Sequence, residues 1–93
     1  MNASARVSVS MTHEDANLLG LSPSPFVRWQ ESGLGNLVIV HVEEETALAV
    51  AHSAFDAVAS GEITDEVDVD RAESVGSRLQ SAVFRARRAR GAA

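Results

Sequence analysis

The sequence lacks several residue types on which functional sites are commonly built. It has no cysteine, which excludes disulfides, cysteine-ligated metals, iron–sulfur clusters and thiol nucleophiles. No apolar run approaches the roughly 20 residues that span a bilayer, and residues 1–10 lack the basic start and long apolar centre of a signal peptide. We therefore expect a soluble, cytoplasmic protein.

Length and charge set further limits. With 93 residues, 45% of them hydrophobic, the chain has room for one domain with a small core, and such a domain is marginally stable by itself. Association into a homodimer or larger oligomer is therefore expected. The net charge of −5 conceals an asymmetry, because residues 43–70 are acidic whereas residues 71–90 carry six of the eight arginines. We expect these two regions to pair.

Residues 37–60 form the organising stretch of the chain. Residues 37–42 are a largely β-branched apolar run, typical of a strand that is covered on both faces. Three glutamates follow at 43–45, where acidic side chains suit the positive end of a helix dipole. Apolar residues then cover more than half of the helix circumference. The pattern predicts a strand leading directly into a helix over 44–60, with Phe55 at the centre of its apolar arc.

The segments before this stretch alternate in polarity. Residues 6–11 alternate as a half-buried edge strand does, and Thr12 is placed to cap a short helix. Pro23 and Pro25 predict an extended connector. Residues 26–31 alternate again, and the turn-forming residues 32–36 join them to the strand at 37. This arrangement predicts a β-hairpin.

The C-terminal third is predicted to be an acidic linker over 62–69 and an arginine-rich helix over 70–90. Laid out as heptads, this helix has a narrow apolar seam at positions a and d and places Arg71, Arg78 and Arg85 at successive g positions. We call these three residues the arginine stripe and expect it to face acidic groups from residues 43–70 or from a partner. Phe84 falls outside the seam.

Together these elements predict a single α+β domain over residues 1–93. A small antiparallel sheet, made of an edge strand and a β-hairpin, is expected to pack against the two C-terminal helices. A metal or catalytic centre would require His13, His41 and His52 to converge from three elements, a question that the sequence leaves open. Serine occurs in no nucleophile-elbow pattern. We predict no catalytic residue, no metal site and no cofactor, and we do not expect an enzyme.

The leading functional hypothesis is a non-enzymatic, homo-oligomeric protein–protein interaction module that serves as an adaptor, a regulator or a phage-type structural component. Its expected partners are a second copy of itself and another protein. The residues predicted to bind them are Arg71, Arg78, Arg85 and Phe84.

Two alternatives stay open. One is a nucleic-acid-associated regulator, since guanidinium groups bind phosphate, although the chain is acidic overall and shows no recognisable reading motif. The residues that would carry this binding are Arg85, Arg87, Arg88 and Arg90. The other alternative is an accessory subunit of an enzyme.

Overall fold

A computed structural model of the chain describes residues 5–91; residues 1–4 and 92–93 of the predicted domain lie outside the described part. The elements, in chain order, are β1 (Arg6–Thr12), α1 (His13–Leu18), β2 (Val27–Glu31), β3 (Leu37–Glu43), α2 (Glu44–Ser60) and α3 (Glu66–Gly91). A three-stranded antiparallel sheet packs against the helices, which confirms the predicted α+β fold.

The sheet has the order β1-β3-β2, so the predicted edge strand and hairpin are both present. Val40 of β3 lies between Val9 of β1 and Trp29 of β2. The hairpin turn needs backbone conformations that favour glycine, because Gly33 and Gly35 have φ angles of 78° and 61°. The sequence therefore places glycine where the chain must reverse before β3.

The helices cover one face of the sheet. The buried strand residues on this face are Val7, Val9, Met11, Val27, Val38, Val40 and Val42. On the opposite face, Leu37, Ile39 and His41 of β3 are only half-buried. The expectation that residues 37–42 are covered on both faces is therefore wrong within one chain, because all three helices pack on the same side of β3. We call the uncovered side the open face.

Helix α2 has the predicted bounds and ends at Gly61, which adopts the left-handed conformation with φ 84°. Helix α3 begins at Glu66 instead of residue 70. Its earlier start has a local cause, because the Asp65 carboxylate accepts from the N–H groups of Val67 and Asp68 at 3.1 and 3.2 Å. The predicted acidic linker over 62–69 is correspondingly shorter, and its second half forms the first turn of α3.

The buried side of α3 is wider than the predicted seam. Positions a and d contribute Ala72, Val75 and Leu79, but Gly76 and Val83, at the e position, are buried as well. A stripe of this width is typical of a helix packed on a globular core and not of a strict coiled-coil seam. Phe55 of α2 lies against Gly76 and is half-buried, so the full burial on which a large effect of its truncation depends is not reached. No helix within residues 5–91 is long and apolar enough to cross a membrane.

Candidate functional site

The two ends of β1 establish the direction of its backbone hydrogen bonds. Glu44 N–H donates to the Ala5 carbonyl at 3.0 Å, and His13 N–H donates to the Asn36 carbonyl at 3.2 Å. In an antiparallel pair, successive residues direct their backbone groups alternately toward and away from the neighbouring strand. In both contacts, the two residues continue the register in which β1 pairs with β3. The odd-numbered residues of β1 therefore bond to β3.

The even-numbered residues of β1 direct their backbone groups away from the sheet. Arg6, Ser8 and Ser10 consequently present their N–H and C=O groups at the outer edge, and within residues 5–91 these groups have no backbone partner. The strand is seven residues long, contains no proline and has its single charge at Arg6. It therefore lacks the usual devices that protect a sheet edge from pairing.

The other edge of the sheet, formed by β2, is occupied at its start. Ser24 and Val27 exchange two backbone hydrogen bonds of 2.9 and 3.2 Å, which occupy the outward groups at the start of the strand. Trp29 Nε1–H donates to the Leu21 carbonyl at 2.6 Å and holds the preceding loop beside β2. Trp29 and Glu31 also direct backbone groups outward and have no backbone partner within residues 5–91, so β2 is occupied only at its start, whereas the outer edge of β1 is open along its length.

A row of polar side chains crosses the open face. The Ser8 hydroxyl lies 2.7 Å from His41 Nδ1, and His41 Nε2 lies 2.9 Å from Gln30 Oε1. With the proton of His41 on Nε2, the hydroxyl donates to Nδ1 and Nε2–H donates to the amide oxygen. Ser8 and Gln30 are exposed, so the row lacks the enclosed, water-poor setting that strengthens catalytic electrostatics. We interpret it as a polar contact that joins all three strands.

The three histidines have separate surroundings. His13 lies 3.2 Å from a Glu31 carboxylate oxygen and packs against Trp29, with ring centroids 5.3 Å apart. His41 belongs to the polar row, and His52 is exposed on α2. Within residues 5–91, no group of three or more histidine, aspartate or glutamate side chains is arranged to hold a metal ion.

One carboxylate joins the start of α2 to the end of α3. Glu44 is buried and accepts hydrogen bonds from Arg87 Nε at 3.1 Å and from Arg90 Nη2 at 2.9 Å, with a further contact to Arg90 Nη1. Its hydrogen bond with Arg90 is the main reason that the pKa of Glu44 is lowered from 4.5 to about 2, and the bond to Arg87 adds to this effect. The same contact raises the pKa of Arg90. The expected pairing of the acidic and basic regions is therefore present at this point.

The three residues of the arginine stripe have different surroundings. Arg71 contacts Glu14 at 3.0 Å and Asp15 at 3.7 Å, so its partners are on α1 and not within residues 43–70. Arg78 and Arg85 are exposed and form no ion pair within residues 5–91. The prediction of acidic partners in residues 43–70 is therefore wrong for Arg71, because the fold places α1 beside the first half of α3.

The remaining predicted site residues differ in their availability. Phe84 is 51% exposed, as its position outside the seam indicates. The four arginines proposed for nucleic-acid binding do not form one free cluster, because Arg87 and Arg90 bind Glu44. Arg85 and Arg88 are exposed.

Comparison of the chain with protein-family models, with curated proteins and with solved structures finds no match. We therefore infer function from the geometry of the chain itself. In that geometry, the main feature that sequence reasoning missed is the unpaired backbone edge of Arg6, Ser8 and Ser10. The alternating pattern of residues 6–11 had indicated an edge strand, but not which residues bond to β3.

Proposed function

We propose that the protein is a non-enzymatic protein–protein interaction module that forms a homodimer by pairing β1 with β1 of a second copy. The observation that carries this proposal is the outer edge of β1, where Arg6, Ser8 and Ser10 present backbone donors and acceptors without a backbone partner in residues 5–91. An edge of this kind is a template for another strand. Pairing would extend the three-stranded sheet to six strands.

The sequence of β1 is self-complementary in one antiparallel register. With a two-fold axis beside Val9, Ser8 lies opposite Ser10 of the second copy, and Arg6 lies opposite Thr12. All of these residues are even-numbered and direct backbone groups outward, so the outward groups meet one another. Val7 lies opposite Met11 on the helix-covered side. No like charges face each other in this register, which favours a second copy as the occupant of the edge.

The symmetry of the contact and the partly occupied β2 edge favour an association that stops at two chains. An isologous contact uses the same patch on both subunits and closes on itself. A sheet with two fully open edges would continue to add strands, but here Ser24 occupies the start of the far edge through its bonds to Val27, which leaves only the outward groups of Trp29 and Glu31. The two outer edges of the six-stranded dimer are therefore both β2.

A dimer of this kind also suits the small size of the domain. Buried area in a 93-residue chain is limited, and association adds stability that depends on protein concentration. The roles that we propose for it are those of an adaptor, a regulator or a phage-type structural component. The exposed Phe84, Arg78 and Arg85 of α3 would remain available to another protein.

The nucleic-acid alternative has weaker support. Two of its four arginines, Arg87 and Arg90, bind Glu44 and are not free to contact phosphate. A binding assay over a range of salt concentrations distinguishes the two proposals, because affinity for nucleic acid falls steeply as salt rises.

The dimer is tested by removing one outward N–H group from β1. In Ser10→Pro, the ring replaces an N–H that makes no bond to β3, so the chain retains its own sheet bonds. The matched control, Ser10→Thr, keeps the N–H and favours strand structure. We expect the parent and Ser10→Thr to sediment with twice the mass of one chain at about 100 μM, a concentration typical of weak dimers. Ser10→Pro should be monomeric with an unchanged circular dichroism spectrum.

Two outcomes would overturn the proposal. The first is a monomeric parent over the whole micromolar range. The second is a folded Ser10→Pro variant that dimerises as tightly as the parent, which would place the contact elsewhere on the molecule. If Ser10→Pro fails to fold, the measurement is repeated with Ser10→Asp. The introduced carboxylate lies opposite Ser8 of the second copy and diagonally across the two-fold axis from the carboxylate introduced in that copy. These like charges oppose pairing.

A further inference from the structure

A cleft of about 410 Å³ lies at the end of the sheet where β1 and β2 begin. Arg6 lines it from β1 and Arg28 from β2, and Phe26 of the preceding loop provides aromatic surface. Trp29 borders the cleft, but its ring packs against His13 on the helix-covered side of the sheet. Its volume is within the range of small-molecule sites in proteins. The proposed dimer uses the backbone edge of β1, whereas this cleft is formed by side chains and by the loop before β2; Arg6 belongs to both.

The charge of the cleft comes from two guanidinium groups that are free to bind an anion. Both arginines are exposed, and neither forms an ion pair within residues 5–91. Glu43 is the β3 partner of Arg6 in the sheet, but its carboxylate makes no ion pair with either guanidinium. Two guanidinium groups in one cleft are suited to phosphate, which they bind through paired N–H donors.

The apolar part of the cleft is exposed and its loop is held in place. Phe26 is 62% exposed, so much of its ring is accessible to a ligand. Its backbone N–H donates to the Ser24 hydroxyl at 3.1 Å, and Ser24 is in turn paired with Val27. The Phe26 ring is therefore presented from a constrained loop and offers a flat surface on which a planar group can stack.

We propose that this cleft binds a nucleotide, with the base stacked on Phe26 and the phosphate held between Arg6 and Arg28. The proposal combines two requirements, a planar group and an anion, in a single ligand. Stacking on an aromatic ring tolerates any base because every base has a π-face. The same chemistry applies to a free mononucleotide and to one nucleotide of a single strand.

Trp29 provides a reporter for the test, because it is the single tryptophan of the chain and lines the cleft. AMP is titrated against the parent to about 5 mM, the regime of weak specific sites, and tryptophan fluorescence is corrected for absorbance with free N-acetyltryptophanamide. We expect saturable quenching by AMP. Adenosine and inorganic phosphate, which each provide half of the ligand, should bind at least about tenfold more weakly because each loses one set of contacts.

The variants locate the site. Arg28→Gln should weaken AMP binding roughly tenfold, as expected for the loss of a charged hydrogen bond. The matched control is Arg78→Gln, which removes an exposed arginine of α3 that does not line the cleft, and it should leave the affinity unchanged. Phe26→Ala should weaken AMP and adenosine but not phosphate. A 5′-phosphorylated tetranucleotide is titrated as well. If it binds more tightly than AMP and Arg28→Gln weakens its binding, the ligand is one nucleotide of a single strand and not a free mononucleotide.

Two results would overturn the inference. One is the absence of saturable quenching by AMP, confirmed by calorimetry. The other is equal affinity of Arg28→Gln and Arg78→Gln for AMP, which would show that any binding is not in this cleft. Arg6 belongs both to the cleft and to the proposed dimer edge, so the titrations are repeated with the monomeric Ser10→Pro variant, which separates loss of AMP binding from loss of the dimer.

Discussion

The aromatic ring of Phe55 in α2 lies directly over Gly76 in α3. A Cβ atom added to Gly76 would be 3.0 Å from Phe55 Cε1 and 3.1 Å from Cζ, which is shorter than ordinary van der Waals contact. The absence of a side chain at position 76 therefore lets the two helices approach each other. This contact couples two residues that are 21 positions apart in the sequence.

Gly76→Ala should destabilise the parent by about 1 kcal/mol, since overpacking against Phe55 outweighs the gain of about 1 kcal/mol from replacing glycine within a helix. In a Phe55→Ala background the same change should stabilise by about 1 kcal/mol, because the ring is gone. Urea denaturation of the four proteins gives both values. An equal effect of Gly76→Ala in the two backgrounds would show that the ring does not restrict this position.

Phe55→Ala should cost about 2 kcal/mol, below the roughly 3–5 kcal/mol of a fully buried phenylalanine, because the ring is half-buried. Leu79→Ala provides the comparison, since Leu79 is completely buried and such changes cost about 2–5 kcal/mol. We therefore expect the smaller leucine truncation to be the more harmful of the two. The reverse order of denaturation midpoints would restore the central role that the sequence assigns to Phe55.

The Glu44 contact should make stability depend on pH. The folded pKa of about 2 is below the ordinary 4.5, so the carboxylate contributes stability above about pH 4.5, and this contribution is lost as pH falls toward 2. Glu44→Gln should therefore be less stable than the parent at pH 7, and the difference should shrink as pH falls from 5 to about 2. Thermal melts of both proteins across this range test the sign, and a difference that is constant with pH would contradict it.

Arg71 and Arg78 should respond differently to charge reversal, although both belong to the arginine stripe. Arg71→Glu removes the contacts with Glu14 and Asp15 and places a third negative charge beside them, at a cost of about 1 kcal/mol that diminishes in high salt. Arg78→Glu, at an exposed position without an ion pair in residues 5–91, should change stability by less than about 0.5 kcal/mol. Equal losses for the two variants would indicate that the stripe acts as a unit after all.

The sequence predicted the elements whose signals are local. The alternating pattern of residues 6–11 and the apolar run of 37–42 predicted two strands, and the structure forms both. Thr12 accepts from Asp15 N–H at 3.0 Å, as expected for a helix cap. Gly61 ends α2 in the expected left-handed conformation. Each of these features is specified within a few neighbouring residues.

The features that the sequence did not predict depend on tertiary geometry. The charge asymmetry of the sequence predicted that its acidic and basic regions pair. The identity of the paired residues, Glu44 with Arg87 and Arg90, follows from how α3 crosses the start of α2. The sequence did not predict the early start of α3 at Glu66, because an aspartate at position 65 is equally consistent with an acidic linker and with a helix cap. The free edge of β1 depends on whether its odd-numbered or its even-numbered residues bond to β3. A polarity pattern does not encode this choice, because the side chains lie on the same two faces in either case.

Residue-resolved amide hydrogen exchange of β1 tests the proposed dimer most directly. The exchange rates of the Ser8 and Ser10 amides, whose N–H groups point outward, are measured at high and low protein concentration and compared with that of Val9, whose N–H bonds to β3. The account predicts that Ser8 and Ser10 are protected at high concentration and exchange rapidly on dilution, whereas Val9 stays protected throughout. Rapid exchange of Ser8 and Ser10 at every concentration would contradict it.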